Sequence, residues 1–170
     1  MLLRPAARAS RGFTIVELVA VISLLAILSA VAISRSVKPS SFEAAVAAAF
    51  LLEEIRFARR LAVHRQDVAV TLQLTLTADA WQVQVLGDGV TTLRAREAER
   101  TAATLTGDAV VLNTGETLTL VYDGLGNVSA AAIGGTALSP ADGLPMVLTA
   151  ESSRTLCVYP SGYVTGSGCV

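Results

Sequence analysis

Three hydrophobic periods follow one another along the chain. From Phe13 to Ile33 the sequence is apolar for 21 residues, and Glu17 is the only charged side chain among them. A bilayer core of about 30 Å is crossed by roughly 20 apolar residues as helix, so the spacing predicts a spanning helix to about Ser34. Ser23 and Ser29 do not interrupt it, because their hydroxyls can bond back to helix carbonyls. Lys38-Pro39-Ser40-Ser41 then punctuates the chain. Proline bends or breaks a helix, Ser40 or Ser41 can cap a restart, and Glu43 suits the first turn of a new helix.

The second period is that of an amphipathic helix from about Phe42 to Arg65. Phe50, Leu51, Ile55, Phe57, Ala58, Leu61 and Ala62 fall on one arc, and Glu53, Arg56, Arg59, Arg60 and His64 on the other. The polar arc reads as a solvated face with a Glu53–Arg56 pair. His64 reads as a solvated residue near the C-terminal dipole.

From Asp67 the period is two. Val68, Val70, Leu72, Leu74 and Leu76 alternate with Ala69, Thr71, Gln73 and Thr75, and Trp81, Val83 and Val85 with Gln82 and Gln84. These predict an antiparallel hairpin ended by Gly87-Asp88-Gly89. Residues 90–108 are polar and read as one strand edge and a loop. Further strands are predicted at 109–112, 117–122, 145–149 and 154–159, with turns at 113–115, 123–127 and 141–143. Pro160-Ser161-Gly162 turns the last strand back through Tyr163-Val164-Thr165. Helices first and strands later make the expected fold class α+β, a long N-terminal helix packed on an antiparallel β-domain.

Charge orients this plan. Arg4, Arg8 and Arg11 precede the apolar run and all 14 acidic residues lie after Gly12, so the chain after Gly12 has 10 basic against 14 acidic side chains. The positive-inside rule then predicts a cytoplasmic N-terminus in the inner membrane and a periplasmic C-terminal domain. Cys157 and Cys169 in such a domain read as one disulfide. The closed loop is short, which the chain-entropy model values at roughly 3 kcal/mol. Two cysteines and a distant His64 do not supply a tetrahedral metal set. A mildly acidic domain argues against nucleic acid as the main partner.

The stretch Arg11-Gly12-Phe13-Thr14-Ile15-Val16-Glu17-Leu18 resembles the processing site of type IV pilins and type II secretion pseudopilins. The resemblance implies cleavage by a prepilin peptidase between Gly12 and Phe13, N-methylation of Phe13, and a subunit-assembly role for Glu17 at the fifth position of the mature chain. There the family's glutamate pairs with the terminal amine of a neighbouring subunit. Physics supports such a pair: each charge is costly alone in lipid, and opposite charges attract strongly at low dielectric. An ordinary secretory signal has a shorter apolar core and a small-residue cleavage site after it. The alternative that remains is a plain single-span anchor.

The implied organisation is a leader over 1–12, a transmembrane helix over 13–34, an amphipathic helix continuing it over 35–65, and a periplasmic β-domain over 66–170. The stretch Phe50–Arg65 with a strand behind it, and Tyr159-Pro160-Ser161-Gly162-Tyr163-Val164, resemble the GspH/FimT-type minor pilins. The turn Asp123-Gly124-Leu125-Gly126 is similar to one in minor pilin C of the mannose-sensitive haemagglutinin pilus. The function implied is a minor pilin or pseudopilin of a type IV pilus or a type II secretion pseudopilus. Its partners are then other pilins, the prepilin peptidase and the inner-membrane assembly platform. The alternative is a tip receptor for DNA or a surface. DNA-binding FimT proteins carry arginines around the C-terminal glycine stretch, whereas here the last basic residue is Arg154, which weighs against phosphate binding by the tail. No cofactor is expected. No nucleophile elbow, phosphate loop or His/Cys/Asp cluster points to an enzyme, and Gly134-Gly135 reads as a loop.

Overall fold

The computed structural model describes residues 14–36 and 40–169, with side chains over 14–29 and 42–169. The chain forms two compact units, Met1–Lys38 and Pro39–Val170. Arg4, Arg8, Arg11, Gly12, Phe13 and Pro39, where a leader, a cleavage site and a helix break are expected, lie outside the described residues.

In the first unit, helix α1 runs from Ile15 to Ser36. Thr14 precedes it, and its hydroxyl accepts the Glu17 N–H at 3.3 Å, as an N-cap does. The Ser23 and Ser29 hydroxyls donate to the carbonyls of Val19 and Leu25 at 2.8 and 2.7 Å, as the sequence predicts. All described side chains of α1 are exposed, Ile15 at 81% and Leu28 at 62% among them. Among the described residues no helix is long and apolar enough to cross a membrane; the described side chains of α1 end at Ser29.

The second unit begins with α2, Ser40–His64. Its buried arc is Ala44, Ala47, Ala48, Leu51, Ile55, Ala58 and Ala62. Alanine at so many of these positions brings the helix close to what lies beneath. That is an antiparallel β-domain of two sheets. The first has the order β3-β2-β1-β6-β7-β8, from β1 (Val70–Leu76), β2 (Ala80–Gly87), β3 (Thr91–Glu99), β6 (Thr117–Tyr122), β7 (Val128–Ile133) and β8 (Thr136–Leu138). The second has the order β11-β10-β9-β4-β5, from β4 (Thr104–Gly107), β5 (Val110–Val111), β9 (Leu144–Thr149), β10 (Ser153–Val158) and β11 (Val164–Thr165). Helix α2 packs on β1 and β6 of one sheet and on β9, β10 and β11 of the other. Its position explains the register of β1: Leu72 lies between Val85 and Leu120, and Leu74 between Val83 and Leu118, so each cross-strand row presents three apolar residues to the core.

The α+β expectation therefore holds, and the hairpin of β1 and β2 lies where the period-two pattern puts it. Two parts differ. Residues 90–108 hold a nine-residue edge strand, β3, and then β4, where one strand edge and a loop are expected. Val128–Ile133 and Thr136–Leu138 form β7 and β8, which the pattern does not announce. Ala130, Ala131 and Ala132 have weak strand preference, and pairing with β6 on one side and β8 on the other overrides it.

Ile55 is fully buried and Phe42 is 57% exposed. Ile55→Ala is expected to destabilise residues 39–170 by about 2–5 kcal/mol, and Phe42→Ala by less than about 0.5 kcal/mol. Paired urea unfolding curves of the two variants check this; equal losses would mean that α2 does not seat on the sheets as described.

Candidate functional site

At the head of α1, Glu17 is the third residue of the helix and its side chain is exposed. A carboxylate in the first turn faces the positive end of the helix dipole. Thr14-Ile15-Val16-Glu17 has capping-box spacing, a local use for Glu17 that stands beside the intermolecular one implied by resemblance. Gly12 and Phe13, on which the resemblance places cleavage and methylation, lie outside the described residues.

The far end of α2 is more elaborate. Three segments meet there: the last turns of α2, the turn after β6, and the turn between β10 and β11. Asp123 shapes the first turn by accepting the N–H groups of Leu125 at 2.9 Å and Asn127 at 2.8 Å and the Asn127 side-chain amide at 3.0 Å. The Asn127 side chain, then the backbone N–H groups, hold the Asp123 carboxyl below the ordinary carboxylate range. The Val128 N–H donates to the Pro160 carbonyl at 2.8 Å and ties the two turns together.

Glycine is required at the meeting point. Gly126 and Gly162 have φ of 81° and 71°, a left-handed conformation that side chains resist. A Cβ on Gly162 would strike the Gly126 carbonyl oxygen, and one on Gly126 would come within 2.7 Å of a Val63 methyl. The Arg59 Nε donates to the Ser161 carbonyl at 3.1 Å, joining residues 102 apart in sequence.

Arg59 therefore does not lie on a freely solvated arc, as the periodicity predicts. With Arg56 and Arg60 it lines a cleft of about 220 Å³ whose other wall is Gly162, Tyr163 and Val164. The expectation that no cation stands near the C-terminal glycine stretch is corrected in space: α2 brings three arginines to it. The rings of Tyr159 and Tyr163 stack with centroids 6.3 Å apart. Val63, Leu125 and Tyr163 are exposed around the same meeting point.

The Glu53–Arg56 pair is also corrected. Glu53 Oε1 reaches Arg96 at 3.2 Å and Arg94 at 3.8 Å, across on β3. Beside it Glu54, wholly buried, accepts Arg94 at 3.0 Å and Arg96 at 3.2 Å on its Oε1. The Arg94 guanidinium lies 4.2 Å from the centre of the Phe57 ring, and that of Arg96 lies 6.0 Å from the centre of Phe50. Glu54 occupies an apolar position of the helical period, between Leu51 and Ala58, and Arg94 and Arg96 share one face of a strand. Those were the signals, and only the fold aligns them.

Cys157 and Cys169 form a disulfide with Cα atoms 5.1 Å apart, pinning the C-terminal tail to β10. Among the described residues no group of three His, Cys, Asp or Glu side chains is placed to hold a metal. His64 is exposed in the last turn of α2, beside Arg59, Arg60 and Val63.

Residues 7–33 match the Prokaryotic N-terminal methylation motif. The fold is similar to that of the type IV minor pilin FimU of Pseudomonas aeruginosa strain PAO1, seen in its crystal structure. The TM-score is 0.53, with 17% sequence identity over 75% of this chain and 90% of that one. No curated protein matches the chain in sequence. The chain is thus type IV pilin-like in its N-terminal motif and in its α+β fold.

Tyr122 lies under this meeting point, fully buried, and among the described residues its hydroxyl has no hydrogen-bond partner. Burial pushes the phenol well above its ordinary range, while the Arg59 cation pulls it down more weakly. A raised value in the fold means that the neutral ring contributes stability below about pH 10, where the unfolded phenol titrates, and that this is lost as pH rises further. Tyr122→Phe is expected to match or exceed the parent by up to about 1 kcal/mol at neutral pH, with a margin that widens above pH 10. Urea unfolding at both pH values checks it, and a margin independent of pH would show that the phenol is not held neutral.

Proposed function

We propose that the chain is a minor pilin or pseudopilin, a structural subunit rather than an enzyme. On this reading prepilin peptidase removes residues 1–12 and Phe13 becomes the N-methylated terminus. The protein waits in the inner membrane with its β-domain in the periplasm, and the assembly platform feeds it into a filament beside other pilins. The observation that carries this is the run Gly12-Phe13-Thr14-Ile15-Val16-Glu17 at the head of an apolar segment, within residues that match the methylation motif. The FimU-like fold behind it agrees.

The chemistry follows from where Glu17 ends up. Phe13 to Ile33 carries no other charge, so in lipid or in a packed helical core the carboxylate lacks a cation of its own segment. The amine created by cleavage of a neighbouring subunit supplies one. Pairing offsets both desolvation penalties and sets the axial stagger of the two helices. Type IV pilus and type II pseudopilus share this step, and deletion of the gene separates them: loss of surface pili with secretion intact indicates the first, the reverse the second.

A second reading, a tip receptor for DNA or a surface, gains from the arginines of α2 beside Tyr163. It loses from residues 66–170, where four arginines stand against ten carboxylates. Salt-sensitive micromolar retention of residues 39–170 on heparin or DNA would favour it.

For the main reading, Glu17→Ala is expected to leave insertion and leader removal unchanged and to abolish incorporation. The check is the amount of processed protein in membranes against that in sheared filaments; wild-type amounts in filaments would rule out the pairing role.

A further inference from the structure

The charges of the folded domain are segregated. Between Arg56 and Arg65 there are four arginines and no carboxylate. The nearest acids on the same helix, Glu53 and Glu54, are both engaged by Arg94 and Arg96. Asp67 follows beyond the helix, and Asp123 is committed to its own turn. Arg56 and Arg60 are exposed and make no ion pair among the described residues. They border the cleft whose far wall is Gly162, Tyr163 and Val164. Arginine and tyrosine around exposed apolar side chains is the composition of protein-interface hot spots, and guanidinium forks suit carboxylates.

The complementary surface is on the same chain. Strand β3 is one of the two edges of the six-stranded sheet. Its alternation splits its charges: Arg94 and Arg96 pair opposite Val85 and Val83 and turn toward α2, whereas Glu97 lies opposite Gln82 and Glu99 opposite Ala80. Glu97 and Glu99 are exposed and make no ion pair among the described residues. The edge thus presents unpaired backbone groups and two carboxylates.

We propose that the basic cleft at the end of α2, through Arg56, Arg60 and Tyr163, docks the Glu97–Glu99 edge of β3 on a second copy of this chain. The contact joins two different patches, so it is heterologous, and repetition of such a contact builds a ring or an open helical array. That geometry suits a filament subunit, and in this respect the inference deepens the pilin reading and rests on it. A nucleic acid fits the site less well. Beyond the cleft, residues 66–170 hold four arginines against ten carboxylates, a balance that repels a polyanion.

The test uses the full chain, as two differently tagged copies in one bacterial membrane, with a photo-crosslinking residue at Val63 of one copy. The expected product is an adduct between the two tags whose cross-linked peptide from the second copy carries Glu97 and Glu99. Arg56→Glu with Arg60→Glu in the first copy should cut the yield by about tenfold, as should Glu97→Arg with Glu99→Arg in the second. Combining the two reversals should restore it, which also shows that both variants fold. Adducts indifferent to either reversal, or no recovery in the combined pair, would overturn the proposal. A nucleic-acid adduct at position 63 would overturn it in favour of the polyanion. Charge-dependent adducts from a chain that never enters filaments would keep this contact and remove the pilin reading; the opposite pattern would do the reverse.

Discussion

Burial of one face of α2 is the contact on which the β-domain depends. The helix touches both sheets, and the buried cluster runs from Ala44 on the helix to Val164 on β11 without a second centre. Among the described residues of Pro39–Val170, α2 is the only helix available to both sheets. The alanines of the buried arc let strands of both sheets approach one helix, and Leu51 and Ile55 are buried among them.

That arrangement explains where the charges go. The first sheet is wider than the helix, so its outermost inward positions, on β3, are not covered by apolar residues. Arg94 and Arg96 stand there, and the helix answers with Glu53 and the wholly buried Glu54. Two guanidinium groups lying over Phe57 and Phe50 seal the margin. Such a cluster gives little net stability by itself, because desolvation opposes attraction. Its effect is on register, since Glu54 meets both arginines only when the β2–β3 hairpin is seated at one height along α2.

The segments with a long, clean period were legible: the apolar run, the amphipathic helix, the first hairpin, and the strands at 117–122 and 145–149. What was not legible has physical reasons. Strand β7 is rich in alanine and draws its conformation from neighbours on both sides. Strand β3 looks polar because Arg94 and Arg96 serve an ion-pair cluster and Glu97 and Glu99 are exposed. The meeting of Arg59 with Ser161 joins residues 102 apart, and no local pattern encodes a contact of that range. The N-terminal motif was legible because its pattern is local, a glycine, a phenylalanine and one carboxylate within six residues. For the same reason it says little about the domain behind it.

The pilin reading joins these parts. On that reading the apolar segment with one carboxylate would serve assembly, and the β-domain would offer its neighbours a basic and an acidic surface. The most direct test of the central claim is the mass of the protein's N-terminal peptide, taken from filaments sheared off the cell. The account predicts a chain that begins at Phe13 and carries one added methyl group on its amine. A chain still beginning at Met1, or cut elsewhere than after Gly12, would contradict it.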